Sequence, residues 1–454
     1  MSVDKQDAAL EVEVGSLEDL VGYLRAGEKP PEAWRIGTEH EKIGLRAEDL
    51  APAPFDGAQG IEALLEAIAR EDGWERVREA GRTVGLHKEG AGISLEPGGQ
   101  LELSGAPLRT IFETCAEFNR HLDLVRRVSE PLGLVWLSLG INPLHPVERT
   151  PQVPKTRYRI MREYLPTRGE LAMQMMHVTA TVQANLDYAD EADAAEKMRV
   201  ATGVTPIVSA IFANASVADG KPTGWASYRQ HIWRHTDPDR CGLLPFVFAP
   251  DFGYRRWVEW AVDVPMFFVV RDGAYLPARG ATFRRFLEEG FRGHRPTLLD
   301  FDRHLTTLFP DVRLKQFIEV RGADAVPPGL ICALPALWKG ILYDASARVA
   351  AWELVRELDL EAREAAVQDV ARRGLGARVG RHAVRDLAAE LLRISAEALR
   401  RIGHGRGAEP DERSFLEPVA SQLASGRSPG EEVQARWEGD WARSPARLIE
   451  YARY

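Results

Sequence analysis

The sequence has 454 residues, 45% hydrophobic and 28% charged, the composition of a soluble globular chain long enough to bury a core without disulfide staples. Acidic residues outnumber basic ones, 67 against 58, for a formal charge of -9, which argues against nucleic acid or an anionic membrane as a partner. No run approaches the roughly 18 apolar residues of a membrane span, MSVDKQDAALEVEVG carries neither a signal nor a transit pattern, and Cys115, Cys241 and Cys332 stand far apart with no CxxC, which excludes a thiolate zinc site and fits reduced packing cysteines in a cytoplasmic protein.

In chain order, the first informative strand is RIGTEHEKIGL, where Glu39 and Glu41 project to one face about 7 Å apart. Helical spacing follows over Ile61 to Arg70. ISLEPGGQLELSG reads as a β-hairpin turning at Pro97-Gly98-Gly99. An odd loop centred on Gly99 sets Glu96 opposite Glu102 and Ser94 opposite Ser104, with Gln100 near the turn and the leucines on the other face. An even loop would mix polar and apolar faces, so burial favours the odd one. A helix over Pro107 to Val128 and a buried strand over Leu134 to Ile141 come next.

HVTATVQANLD alternates strictly: Val178, Ala180, Val182, Ala184 and Leu186 share one side, and Thr179, Thr181, Gln183, Asn185 and Asp187 the other. Hydroxyls and amides in place of Lys and Glu suit a strand that hydrogen-bonds a ligand. A helix from about Glu191 to Ala213 opens at the capping residue Asp190. The turn-rich SYRQHIWRHTDPDRCG gathers Arg229, Arg234 and Arg240 around His231 and Trp233, a natural clamp for carboxylate or phosphate. Val264 to Val270 reads as another buried strand. VRLKQFIEVRGAD reads as one strand with Arg313, Lys315, Phe317, Glu319 and Arg321 on a single side. From about Leu342 the pattern turns almost wholly helical. The expectation is one α+β catalytic unit over residues 1–454, mixed to about 341, with a helical part over 342–454 packed on it.

Carboxylates collected on one sheet face repel each other and lose hydration unless cations sit among them. Oxygen ligands without Cys or paired His favour Mg²⁺ or Mn²⁺ over zinc. Magnesium sites use a few carboxylates plus phosphate oxygens, and Arg or Lys neutralises a phosphoryl group in transfer. The residues thus point to magnesium-dependent, nucleotide-using phosphoryl transfer on an antiparallel sheet. GxxxxGK[ST] and HExxH are missing from the sequence.

These stretches resemble the glutamate–cysteine ligases of the plant and proteobacterial type. The resemblance is carried by RIGTEHEK, SLEPGGQLELSGAPL, PKTRYRIMREYLP, VQANLDY, HIWRHTDPDR, HLTTLFPDVRLKQFIEVRGAD and CALPALWKGILYD, collinear over nearly the whole chain. It implies the fold of the glutamine synthetase catalytic sheet, an antiparallel funnel with flanking helices. It implies ATP-dependent joining of the γ-carboxyl of L-glutamate to the amine of L-cysteine through a γ-glutamyl phosphate, the first step of glutathione synthesis. By motif, Glu39, Glu41, Glu96, Glu102 and Glu319 are the implied metal ligands, and Gln100 and Asn185 reach metal or nucleotide oxygens. Arg321 would stabilise the transferring phosphoryl group, with Lys315 as a second cation. Arg229 or Arg240 would hold the glutamate α-carboxylate, with Gln183 and Asn185 lining the substrate site. Plant members are regulated by disulfides, but Cys241 stands where Thr is expected and other cysteines are missing, so redox switching is not expected here. A monomer or homodimer is expected. Two other readings are a related ligase using another amine or serving another thiol pathway such as ergothioneine, and a non-catalytic regulator that binds nucleotide or amino acid only.

Overall fold

The computed structural model describes residues 8–404 and 411–454; of the stretch MSVDKQDAALEVEVG read for a leader pattern, residues 1–7 lie outside them. The fold is α+β, as the polar-faced strands predict. Its centre is β1 (Ile36–Arg46), followed by β2 (Glu75–Glu79), β3 (Arg82–Lys88), β4 (Ala91–Leu95), β5 (Leu101–Ser104), β6 (Leu134–Leu137), β7 (Val182–Leu186), β8 (Val312–Leu314) and β9 (Ile318–Val320). They form one sheet in the order β8-β9-β7-β1-β5-β4-β3-β2, with β6 also on β1. All pairings in it are antiparallel. One edge of β1 pairs with β7 from Ile36 to His40 and then with β6 from Ile43 to Arg46.

The hairpin has the expected parity but not the expected partners. Glu102 lies opposite Ser94 and Leu101 opposite Leu95, two residues from the predicted register. The reason is the turn. The Gly99 N–H donates to the Glu96 carbonyl and Gly99 takes φ +82°, so the three-residue loop Pro97–Gly99 centres on Gly98 and pairs Glu96 with Gln100. A shift of two keeps every side chain on its predicted face.

VRLKQFIEVRGAD is not one strand. It folds back on itself as β8 and β9, with Arg313 opposite Glu319 and the Lys315 N–H bonded to the Phe317 carbonyl. The predicted strand 134–141 is confined to β6. Most of 264–270 is loop, because the helix Tyr254–Asp263 runs up to it and only Phe268–Arg271 pairs, in a separate hairpin.

Helices cover the apolar face of the sheet. α1 (Ile111–Ser129) starts later than Pro107 because Thr110 and Glu113 form its capping box. α2 (Glu191–Ile211) is capped by Asp190 as predicted. The short α3 (Tyr228–Arg234) carries the arginine-rich stretch. α4 (Ala333–Leu342) is buried along its whole length, and α5 (Val384–His404) and α6 (Pro445–Ala452) follow it. Cys115 of α1 is joined to Cys332, just before α4, by a disulfide with Cα atoms 5.6 Å apart. This corrects the reading of three reduced packing cysteines, since a separation of 217 residues hides the pairing. Cys241 is the free thiol.

Candidate active site

The polar face of the sheet walls a cavity of about 360 Å³. β1 supplies Glu39 and Glu41, the β4–β5 hairpin Glu96 and Glu102, β9 Glu319, and β7 Gln183. All five predicted carboxylates therefore converge. Glu39 and Glu41 face the cavity through strand alternation, and the Glu41 carboxylate also accepts from the Thr181 N–H at 3.0 Å.

The two ends of the cavity differ in charge. Burial, then the charges of Glu319 and Glu102, push the Glu39 carboxyl up to about 8. Burial, then Glu102, push Glu96 up to about 7. Glu41 is also raised, by burial and then Glu96 and Glu102. Glu319 goes the other way. Burial raises it, but Arg313 and then Arg321 outweigh burial and hold it well below the usual carboxylate range. Arg313 Nε lies 2.5 Å and Arg321 Nη1 3.2 Å from Glu319 Oε2. Arg321 Nη1 also donates to Gln183 Oε1 at 2.9 Å, and Lys315 lines the same end.

Arg229, on α3, reaches the cavity from the side, with Asp324 3.6 Å away and the Arg321 carbonyl accepting from its Nη2 at 3.2 Å. Arg240 does not reach it. Its guanidinium is enclosed by Asp237 at 2.6 Å and by the Thr307 and Pro265 carbonyls, against the Phe267 ring. The turn that suggested a clamp is a structural lock, and Arg229 alone of that pair faces the cavity. Gln100 lines the cavity, but its amide is engaged with the backbone of Gly98 and Thr179. It therefore fixes the hairpin turn against the start of β7. Asn185 donates to Glu39 Oε1 at 3.0 Å and stands behind that carboxylate, its Oδ1 buried without a partner.

Four further cationic or phenolic side chains line the cavity. Arg313 lies on the side of its segment that alternation predicts, and it faces Glu319. Lys155, Arg157 and Tyr158 come from the start of the helix Thr156–Tyr164. Lys155 Nζ and Tyr158 Oη both donate to the Leu95 carbonyl, at 3.0 and 2.6 Å, which lays this helix across the hairpin. Burial lowers Lys155 to about 8. The signal for these residues was the cation-aromatic cluster in PKTRYR.

Among the described residues no three Asp, Glu, His or Cys side chains form a ready-made cation cage. The donor set nevertheless fits Mg²⁺. Buried carboxylates driven toward the neutral form by mutual repulsion are relieved by a hard cation, and Mg²⁺ completes its shell with phosphate oxygens and water.

A sequence profile described as glutamate-cysteine ligase family 2 matches residues 35–447. The chain is 43% identical over 430 residues to glutamate–cysteine ligase B, chloroplastic, of Oryza sativa subsp. japonica, covering 94% of this chain and 85% of that protein. It is 41% identical over 452 residues to the chloroplastic glutamate–cysteine ligase of Arabidopsis thaliana, covering 99% and 85%. In fold it is similar to a glutamate–cysteine ligase of Francisella tularensis crystallised with AMP, at TM-score 0.55 and 11% identity over 92% of this chain and 87% of that one. These relatives are named as chloroplastic, which overturns the expectation of a cytoplasmic protein. The collinear motifs, the antiparallel carboxylate-faced sheet and the extent of these matches place the chain in glutamate-cysteine ligase family 2.

Proposed function

We infer that the carboxylate-lined cavity is where this chain, a glutamate–cysteine ligase, joins the γ-carboxyl of L-glutamate to the amine of L-cysteine at the expense of ATP. The product is γ-glutamylcysteine, the first intermediate of glutathione synthesis. One observation carries the reading: five carboxylates and the cations Arg229, Arg313, Lys315 and Arg321 meet in a single cavity of a chain more than two-fifths identical to named ligases of this kind.

Arg229 suits the glutamate α-carboxylate, because it faces the cavity and its planar donors match a carboxylate. The γ-carboxylate then attacks the terminal phosphoryl group of ATP, forming a γ-glutamyl phosphate and releasing ADP. Arg321 holds the transferring group. Its guanidinium is oriented by Glu319 and Gln183, so little reorganisation is needed as charge builds on the phosphoryl oxygens. Arg313 keeps Glu319 ionised for this task. The cysteine amine displaces phosphate from the acyl phosphate, forming the amide bond. Mg²⁺, when bound, would neutralise phosphate charge, and Glu39, Glu41, Glu96, Glu102 and Glu319 would hold it.

The test is an ADP-release assay with glutamate and a panel of amines, before and after exhaustive chelation. Cysteine-dependent ADP release that stops on chelation and returns with Mg²⁺ or Mn²⁺ is the expected result. Preference for a different amine would reassign the substrate, and full turnover after chelation would reject the metal site.

A further inference from the structure

The back of β1, directly beneath the carboxylates, is unusually polar. Glu39 and Glu41 point into the cavity, so the alternate residues His40 and Lys42 point into the protein, where both are essentially fully buried. His40 Nε2 lies 2.6 Å from the hydroxyl of Tyr454, the final residue of the sequence. The same hydroxyl donates to the Val326 carbonyl at 3.0 Å. The bond pattern selects a tautomer. Tyr454 has one proton and gives it to Val326, so His40 Nε2–H donates to the Tyr454 oxygen and Nδ1, which has no partner, is the bare nitrogen. The alternative tautomer would bury an orphan N–H donor, the costlier arrangement.

This chain of bonds spans the sheet from behind. Val326 lies six residues beyond the end of β9, which carries Glu319, while His40 sits on β1 between Glu39 and Glu41. Between them lies β7, which carries Gln183. Tyr454 is itself anchored. Its N–H donates to the Trp136 carbonyl at 3.0 Å, and Ser138 bonds the Ala452 carbonyl through both N–H and hydroxyl, at 2.8 and 2.7 Å. The Phe118 ring of α1 closes the other side of His40, with centroids 4.8 Å apart.

The place of the brace on β1 matters. The β7 pairing ends at His40 and the β6 pairing starts at Ile43, so one edge of the strand changes partners at the residues that aim Glu41. Mutual repulsion among the carboxylates acts on this point. Lys42 Nζ adds a bond to the His40 carbonyl at 3.1 Å, so both the ring and the backbone of His40 are tied.

We propose that Tyr454 is a positioning residue: through its hydroxyl, held between His40 and Val326, it sets the spacing of the β1 carboxylates relative to Glu319 for divalent-cation binding. The proposal rests on the metal reading of the cavity above. It makes the far C-terminal segment a component of the active site, although it touches no substrate.

Tyr454→Phe keeps the ring and removes only the brace. Mn²⁺ binding is followed by loss of the free-ion paramagnetic resonance signal, with a non-hydrolysable ATP analogue present, alongside the thermal midpoint and steady-state kinetics. The expected result is Mn²⁺ binding weakened by about tenfold, the low end for outer-shell supports, with the glutamate KM unchanged. Ile449→Val, a conservative cavity substitution in α6, is the control for destabilisation of the same segment and should leave Mn²⁺ binding at the wild-type value. Wild-type Mn²⁺ affinity in Tyr454→Phe, or equal weakening in Ile449→Val, overturns the positioning role alone. Failure of the wild-type protein to bind Mn²⁺ overturns the metal reading and the proposal with it.

Discussion

The cavity has an acid end and a cation end, and the same residue type behaves oppositely in them. Desolvation first, then like charge (Glu319 and Glu102 on Glu39, Glu96 and Glu102 on Glu41, Glu102 on Glu96), pushes Glu39, Glu41 and Glu96 toward the neutral form. Glu319, more deeply buried than any of the three, is held ionised by Arg313 and Arg321. The difference is only in which neighbours the strands bring. It teaches a division of labour: at the cation end the carboxylate is already paired with guanidinium groups before any ligand arrives, whereas at the acid end like charges outweigh their partners. On the proposed reading, the first end would serve phosphoryl transfer and the second would take up a hard metal ion.

The largest effects should come from unbalancing the cation end. Arg321→Ala should lower turnover by about 10³-fold with a much smaller change in glutamate KM, and Arg321→Lys should not rescue it, because an ammonium lacks the two-pronged donor geometry. Glu319→Gln should fall comparably, as it frees both guanidinium groups from the carboxylate that orients them. Steady-state kinetics decide; a variant whose KM rises while kcat holds would move that residue from the chemical step to binding.

The two arginines of the α3 region separate substrate binding from structure. Arg229→Ala should raise the glutamate KM by roughly 10- to 100-fold, the loss of a charged hydrogen-bonding partner. Arg240→Ala should instead leave the buried Asp237 with only the more distant Arg168, 3.6 Å away, and cost up to about 3 kcal/mol of stability, read by denaturant unfolding, with the KM of surviving folded protein unchanged. The reverse pattern would return Arg240 to the clamp.

The disulfide can be tested apart from the chemistry. Cys115→Ser with Cys332→Ser should lower stability by up to about 5 kcal/mol on the chain-entropy estimate for so long a loop, yet retain ligase activity below the new midpoint. Neither sulfur lines the cavity, and the acyl-phosphate route needs no enzyme thiol. Cys241→Ala should matter least, since burial pushes that thiol up to about 12 and leaves it unreactive. A glutamyl thioester detected by mass spectrometry on any of the three would contradict this.

The smallest effect is one of pH on the ligand-free protein. Glu39 and Glu96 are raised from 4.5 to about 8 and about 7 when folded. Between pH 4.5 and 8 the folded state therefore binds more protons than the unfolded one, and stability falls as pH rises through that window. The thermal midpoint of the metal-free protein should drop by several degrees, about 1 kcal/mol or more, over this range. Mg²⁺ with a non-hydrolysable ATP analogue should flatten the slope. A flat metal-free profile would mean that the acid end is already neutralised.

Much of the site was legible in the sequence because strand alternation is a local rule. Glu39 with Glu41, Thr181 with Gln183, and Glu319 with Arg321 share faces whatever the strands pair with, and the parity of the hairpin survived an error of two residues in its register. Arg313 shows where that stops: alternation placed it on the site side, but only the fold-back of β8 on β9 made it the partner of Glu319. Lys155, Arg157 and Tyr158 were less visible still, since nothing local says that their helix crosses the hairpin.

The sequence by itself determined which faces are polar, which residue types line the site, and the family to which the chain belongs. Tertiary structure decided which arginine faces the cavity and which is locked against Asp237, that two cysteines 217 residues apart are joined, and that Tyr454 stands behind His40. The physical reason is range: backbone periodicity and turn chemistry act over a few residues, whereas burial, ion pairing and pKa depend on neighbours that only the packed chain supplies.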